Sequence, residues 1–148
     1  MITSMSTTKR KMTVEDWGAI RFFKPNENFG NPMEMDYDLI YGIDLLRQYI
    51  KKPIIIHCGY EKRSGSSYHN TGEAIDCHCK DINLIDFFIG ASRFACFRGI
   101  GIYPNWNNPG LHLDTRRDGD FRALWTSFAA GKYLSLNNET LKQIINKK

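Results

Sequence analysis

The sequence predicts an α+β fold: a small, mainly antiparallel sheet with helices packed on one side. Three observations lead there. Two segments carry apolar residues at helical spacing: Leu39, Ile43, Leu46 and Ile50, then Ile82, Ile85 and Ile89. Four short segments read as strands: Pro53–Cys58, Ala74–Cys79, Arg98–Tyr103 and Leu111–Thr115. The last two are joined by the turn-forming run Pro104–Pro109, which makes them a hairpin. A chain of 148 residues, 42% hydrophobic and 24% charged, fits one globular domain, 1–148, without repeats or linkers.

Taken in order, residues 1–12 are polar, carry Lys9-Arg10-Lys11, and read as a flexible tail. Thr13 caps a short helical turn beginning at Val14. The Asn-, Gly- and Pro-rich stretch from Phe22 to Pro32 is a loop anchored by Phe22, Phe23 and Phe29. Asp36 caps a helix that runs to Ile50 and ends at Lys51-Lys52-Pro53. The strand to Cys58 breaks at Gly59, and a polar loop, Glu61–Ser67, follows. Asp81 opens a second helix, to Phe94. Asp118-Gly119-Asp120 is a turn, Trp125–Leu136 is ambiguous between strand and helix, and Asn138 caps a last helix with Leu141, Ile144 and Ile145 on one face.

The functional signal lies in two stretches, Ser67–Asp76 and Gly110–Asp114. His69 and Asp76 are seven apart, a spacing that suits a loop turning back into a strand rather than one helix face. Gly72 between them supplies an unusual backbone angle. On that strand Ala74, Asp76 and His78 share one face, and Ile75, Cys77 and Cys79 the other. His112 and Asp114 also share a face. Two histidines and a carboxylate are zinc-type donors; with three protein ligands a coordination position stays open. Spacing alone leaves the structural reading of these histidines standing.

The ordered pattern Ser67-x-His69-x-x-Gly72-x-Ala74-x-Asp76, then His112-x-Asp114, resembles the zinc D-Ala-D-Ala carboxypeptidase family. That family comprises peptidoglycan peptidases and phage endolysins, and shares its core with the hedgehog signalling domain. The similarity runs from about Phe23 to Tyr133 and includes Phe23-Lys24-Pro25 with Glu27, Gly59-Tyr60, and Gly99-Ile100-Gly101-Ile102-Tyr103. It implies one zinc ion on His69, Asp76 and His112, and hydrolysis of peptidoglycan stem peptides through a zinc-bound water. Cleavage as a carboxypeptidase and as an endopeptidase both stay open. Two departures stand out. The acid some relatives place three residues before the last histidine is Pro109 here, leaving Asp114 to act as base or to orient His112. The usual arginine after Gly-Tyr is Glu61, for which Arg63 is the substitute. Ser67, Arg116 and Trp106 are candidate substrate contacts. An inactive zinc-containing binding or structural module of the same fold is the alternative.

Composition narrows the partners. A net charge of +4 favours anionic polymers such as the cell wall, but only mildly, and does not argue for nucleic acid. No apolar run is long enough to span a membrane, and the N-terminal residues show no apolar core of a secretory signal. The expectation is a monomer made in the cytoplasm, either acting there or released to the wall as a phage or prophage lysin. Cys58, Cys77, Cys79 and Cys96 read as small buried thiols rather than a disulfide framework.

Overall fold

The structure, a computed structural model, describes residues 9–147. Its helices are α1 (Val14–Ala19), α2 (Tyr37–Ile50), α3 (Leu84–Ser92) and α4 (Asn138–Ile145). Its strands are β1 (Ile54–Cys58), β2 (Ala74–Cys79), β3 (Gly99–Tyr103), β4 (Gly110–Asp114), β5 (Ala123–Ala129) and β6 (Lys132–Ser135). They form one sheet in the order β1-β2-β4-β3-β5-β6. Every pairing is antiparallel except β3 with β5. The α+β expectation with a mainly antiparallel sheet holds.

Residues 9–12 are not a loose tail; residues 1–8 lie outside the described part. Lys11 bridges to Asp36, and the Met12 amide donates to the Met35 carbonyl at 2.9 Å with the Met12 side chain buried. Thr13 then caps α1 in a reciprocal box with Asp16. In the loop that follows, Phe23 and Phe29 are buried as expected. Phe22 instead lies outside, under the Arg47 guanidinium at 4.8 Å, with its amide held by the Asp44 carboxylate.

α2 starts at the Asp36 cap, buries Leu39, Ile40, Ile43 and Leu46, and ends at Lys51 in the left-handed region. The second helix begins later than the sequence suggested. Asp81 sits at φ +60 in a turn, and Asn83 is the cap that receives the Asp86 amide. Its inward face is therefore Phe87, Gly90 and Ala91, while Ile89 is exposed. The last helix is likewise capped by Asn137, one residue before Asn138, and leaves Ile145 outside. The ambiguous stretch resolves into the β5–β6 hairpin, turned at Gly131 with φ +73.

Register sorts the sheet into two faces. Ile56, Cys77 and Leu111 with Ile102 form one cross-strand row, and Ile75, Leu113 and Ile100 another. All are buried in a core completed by α2 and α3. The alternate positions form rows on the opposite face. The central one runs Cys58–Asp76–His112–Gly101–Trp125 across β1, β2, β4, β3 and β5.

Candidate metal centre

Asp76 and His112 meet because β2 and β4 pair in register, so two residues far apart in sequence share one row. The glycines beside them make room. A side chain at Gly101 would place Cβ 2.5 Å from the Trp125 ring, which packs 5.3 Å from the His112 ring. One at Gly99 would stand 2.3 Å from an Asp114 carboxylate oxygen. The Gly99-x-Gly101 spacing thus serves side-chain clearance beside the site.

His69 arrives from a 3₁₀ turn, Tyr68–Thr71, capped by the Ser67 hydroxyl, which accepts from the His69 amide. Gly72 ends the turn at φ +74, as the sequence indicated, with the Glu34 carbonyl so close that no Cβ fits. His69 is 1% exposed. Its Nδ1 lies 2.8 Å from the Gly59 carbonyl oxygen, which can only accept, so Nδ1 carries the hydrogen and Nε2 presents its lone pair. That Nε2 makes no hydrogen bond; its nearest charged neighbour is Asp76 Oδ1 at 3.4 Å.

His112 is oriented the other way round. Its Nε2 donates to Asp114 Oδ2 at 2.8 Å, and its Nδ1 faces Asp76 Oδ1 at 3.1 Å. Two imidazole nitrogens therefore converge on one carboxylate oxygen, an arrangement that calls for a cation between them: a proton or a metal ion. The titration of the metal-free site expresses the same demand. Burial opposes charge on His69, yet the neighbouring Asp76 carboxylate, with Cys58 and the Gly59 carbonyl, outweighs it and raises the group to about 10. His112 is raised against its burial by Asp114 and Asp76. Asp76, despite its burial, is held well below the usual carboxylate range by the two histidines.

Asp114 is fully buried behind His112. Besides His112, its oxygens accept from Arg116 Nε at 2.8 Å, Nη2 at 2.7 Å and the backbone amide at 3.2 Å. Those contacts engage both Asp114 oxygens and hold the carboxylate against His112. Arg116 lies between the Tyr68 and Trp125 rings, 4.5 and 5.3 Å from their centres. Arg63 does reach the centre. Its Nη2 is 3.9 Å from Asp76 Oδ2, and its Nε is held by Glu61 at 2.6 Å. Glu61 thus steers the arginine two places on.

Arg63, Ser67, His69, Asp76, Trp106, His112 and Arg116 all line one cleft of about 800 Å³, to which the β5–β6 hairpin contributes a wall. Trp106 stacks on Tyr103 at 4.2 Å, and Tyr103 is tied to Trp125 through a 2.9 Å hydrogen bond. His57 and His78 stand apart from the cleft, stacked on each other with ring nitrogens 2.5 Å apart.

Sequence reasoning missed Cys58. Its Sγ, a nitrogen of His69 and a carboxylate oxygen of Asp76 all lie within 4.8 Å of one another, close enough to hold one metal ion. Cys77, Cys79 and Cys96 are buried thiols as expected, whereas Cys58 is only half-buried. No family model and no curated protein matches the chain. Among the described residues, no helix is long and apolar enough to cross a membrane.

Proposed function

We propose that the chain is a zinc-dependent metallopeptidase that hydrolyses peptidoglycan stem peptides, as its resemblance to the D-Ala-D-Ala carboxypeptidases implies. The observation that carries this reading is the orphaned Nε2 of buried His69, aimed with His112 Nδ1 at Asp76 Oδ1 beside an 800 Å³ cleft. Two imidazoles and a carboxylate match the donor preference of zinc. His69, Asp76 and His112 would hold the ion, which when bound supplies Lewis acidity that brings the pKa of water to about 7 and polarises an amide carbonyl.

The remaining roles belong to the chain's own side chains. The Gly59 carbonyl and Asp114 fix the tautomers of His69 and His112, so each presents the nitrogen the ion needs. Asp114 is a positioning residue, and Arg116 holds it in place. Arg63 offers a guanidinium at the edge of the centre, suited to gripping a substrate carboxylate or carbonyl. Tyr103, Trp106 and Trp125 wall the groove in which a peptide would lie.

One observation favours a second reading, a zinc-containing binding module without turnover. Asp114 is sealed from the cleft and Pro109 occupies the other acid position, so the familiar proton acceptors are missing. Digestion of purified sacculi by the zinc-loaded chain separates the two. Hydrolysis that is lost on chelation supports the peptidase. Intact sacculi and intact cross-linked muropeptides at one zinc per chain support the module. Release of free D-alanine, against new amino groups within the peptide, tells exo- from endo-cleavage.

A further inference from the structure

β1 and β2 pair regularly through Ile54–Cys79, Ile55–His78 and Ile56–Cys77. Continued one step further, that register would set His57 against Asp76 and Cys58 against Ile75. Cys58 would then point into the core. The strand does not continue so. The register shifts between Ile56 and Cys58, and Cys58 becomes the partner of Asp76. A bulge of this kind sets two residues against one and re-aims a side chain. Here it moves the only half-buried thiol onto the ligand face, at the head of the row that continues through Asp76 and His112.

The surroundings of that sulfur suit a metal better than a hydrogen bond. Its polar neighbours are Arg63 Nη2 at 3.4 Å and, at 3.7 Å each, the Gly59 carbonyl, Glu61 Oε1 and His69 Nδ1. These are weak contacts for a thiol, which is itself a weak donor and acceptor. The other nitrogen of that imidazole, the buried His69 Nε2, has no hydrogen-bond partner. Sulfur, imidazole and carboxylate within 4.8 Å of each other form a donor set that selects zinc-like ions over magnesium or calcium.

We propose that Cys58 is a fourth, sulfur ligand of the metal, closing the site that His69, Asp76 and His112 otherwise leave open. The inference deepens the peptidase reading and rests on its three-ligand centre. Binding exchanges the thiol proton, released to solvent, for a metal–sulfur bond. Four protein ligands make a structural, closed zinc site; three and a vacant position make a catalytic one. The resting protein is therefore latent, and a substrate group or a thiol-directed reagent that displaces the sulfur opens the position.

The test is X-ray absorption at the zinc edge of the full chain loaded with one zinc, together with the near-ultraviolet charge-transfer band of the Co²⁺ form. The expected result is one sulfur at about 2.3 Å among nitrogen and oxygen scatterers at about 2.0–2.2 Å, with a thiolate-to-cobalt band. In Cys58→Ser both signatures vanish while the metal stays, bound at least about tenfold more weakly, the least that loss of even an outer partner costs. Retained sheet content by circular dichroism shows that the variant folds. A wild-type shell of nitrogen and oxygen alone overturns the proposal and leaves the peptidase reading intact. A sulfur shell that persists in Cys58→Ser overturns it too. A sulfur shell with no hydrolysis by wild type or by Cys58→Ala supports the ligand and defeats the peptidase. Should the chain take up neither zinc nor cobalt, both fail.

Discussion

The two faces of the central sheet are built by the same two-residue alternation and do opposite things. On one face Ile56, Cys77, Leu111 and Ile102 form a dry row under the helices. One step along β2, β4 and β3, Asp76, His112 and Gly101 form a row on the cleft side, which the bulge on β1 extends to Cys58 and β5 extends to Trp125. The sulfurs show the contrast best. Burial pushes the Cys79 thiol up to about 11 and, on the α2 side of the core, Cys96 up to about 12, which keeps both neutral and inert. Cys58 instead sits beside a carboxylate, an imidazole and a guanidinium. What a thiol does in this molecule depends on the face it occupies, not on its type.

The histidines teach the same lesson within one face. His69 and His112 are each held at one nitrogen by an acceptor and aimed with the other at Asp76. His57 and His78, also joined across β1 and β2, face only each other, and His78 is lowered by partial burial, by His57 and by Lys80. A carboxylate and fixed tautomers, rather than paired imidazoles, distinguish the candidate metal centre.

The comparison breaks most sharply at the ligands. Asp76→Ala and His112→Ala should each take the metal content of chelator-free protein from about one per chain to none by elemental analysis. A His57→Ala/His78→Ala double variant should keep its metal; loss there would erase the distinction between the pairs. Next comes the core row. Ile102→Ala should cost about 2–5 kcal/mol, as large-to-small core changes do, read from a shifted denaturant midpoint, with metal affinity per folded molecule unchanged.

Asp114→Asn tests the orienting role. It should weaken metal binding about 10–100-fold without removing the site, measured by competition with a chelating dye. Gly101→Ala probes the boundary between ligand and wall. Its Cβ would meet the Trp125 ring, and overpacking of that kind costs about 1–3 kcal/mol, visible as a lowered Tm. The last effect appears only at alkaline pH. The folded Cys96 thiol is raised to about 12 from 9.0, so its contribution is complete below pH 9 and declines as pH rises toward 12. The slope is about 1.4 kcal/mol per pH unit. Comparison of Cys96→Ala with wild type in denaturant at rising pH isolates it, and equal slopes would mean that the core face does not protect this sulfur.

Much of this was legible in the residues themselves. β-branched runs named β1, the apolar period named α2, and the alternation of Ala74, Asp76 and His78 against Ile75, Cys77 and Cys79 assigned both faces of β2. Gly72 announced its left-handed turn because only glycine tolerates that backbone beside the Glu34 carbonyl. Donor chemistry made His69, Asp76 and His112 candidates, and the resemblance to the D-Ala-D-Ala carboxypeptidases, not spacing, joined them into one expected ligand set. Helix starts were less legible, since Asp81 and Asn83, or Asn137 and Asn138, are equally good caps by type, and packing chose between them.

Other features belong to tertiary structure alone. The parallel pairing of β3 with β5 brings Trp125 to His112, and no local pattern encodes which strands become neighbours. The pairing of Asp114 with Arg116 and its burial behind His112 are a matter of surroundings and not of residue type. Cys58 reads from sequence as one more small thiol at a strand end. Its place beside Asp76 depends on a one-residue bulge, and a shift by one residue exchanges the faces of a strand. Local propensity and alternation are properties of the chain; register, neighbours and burial exist only once the strands have paired.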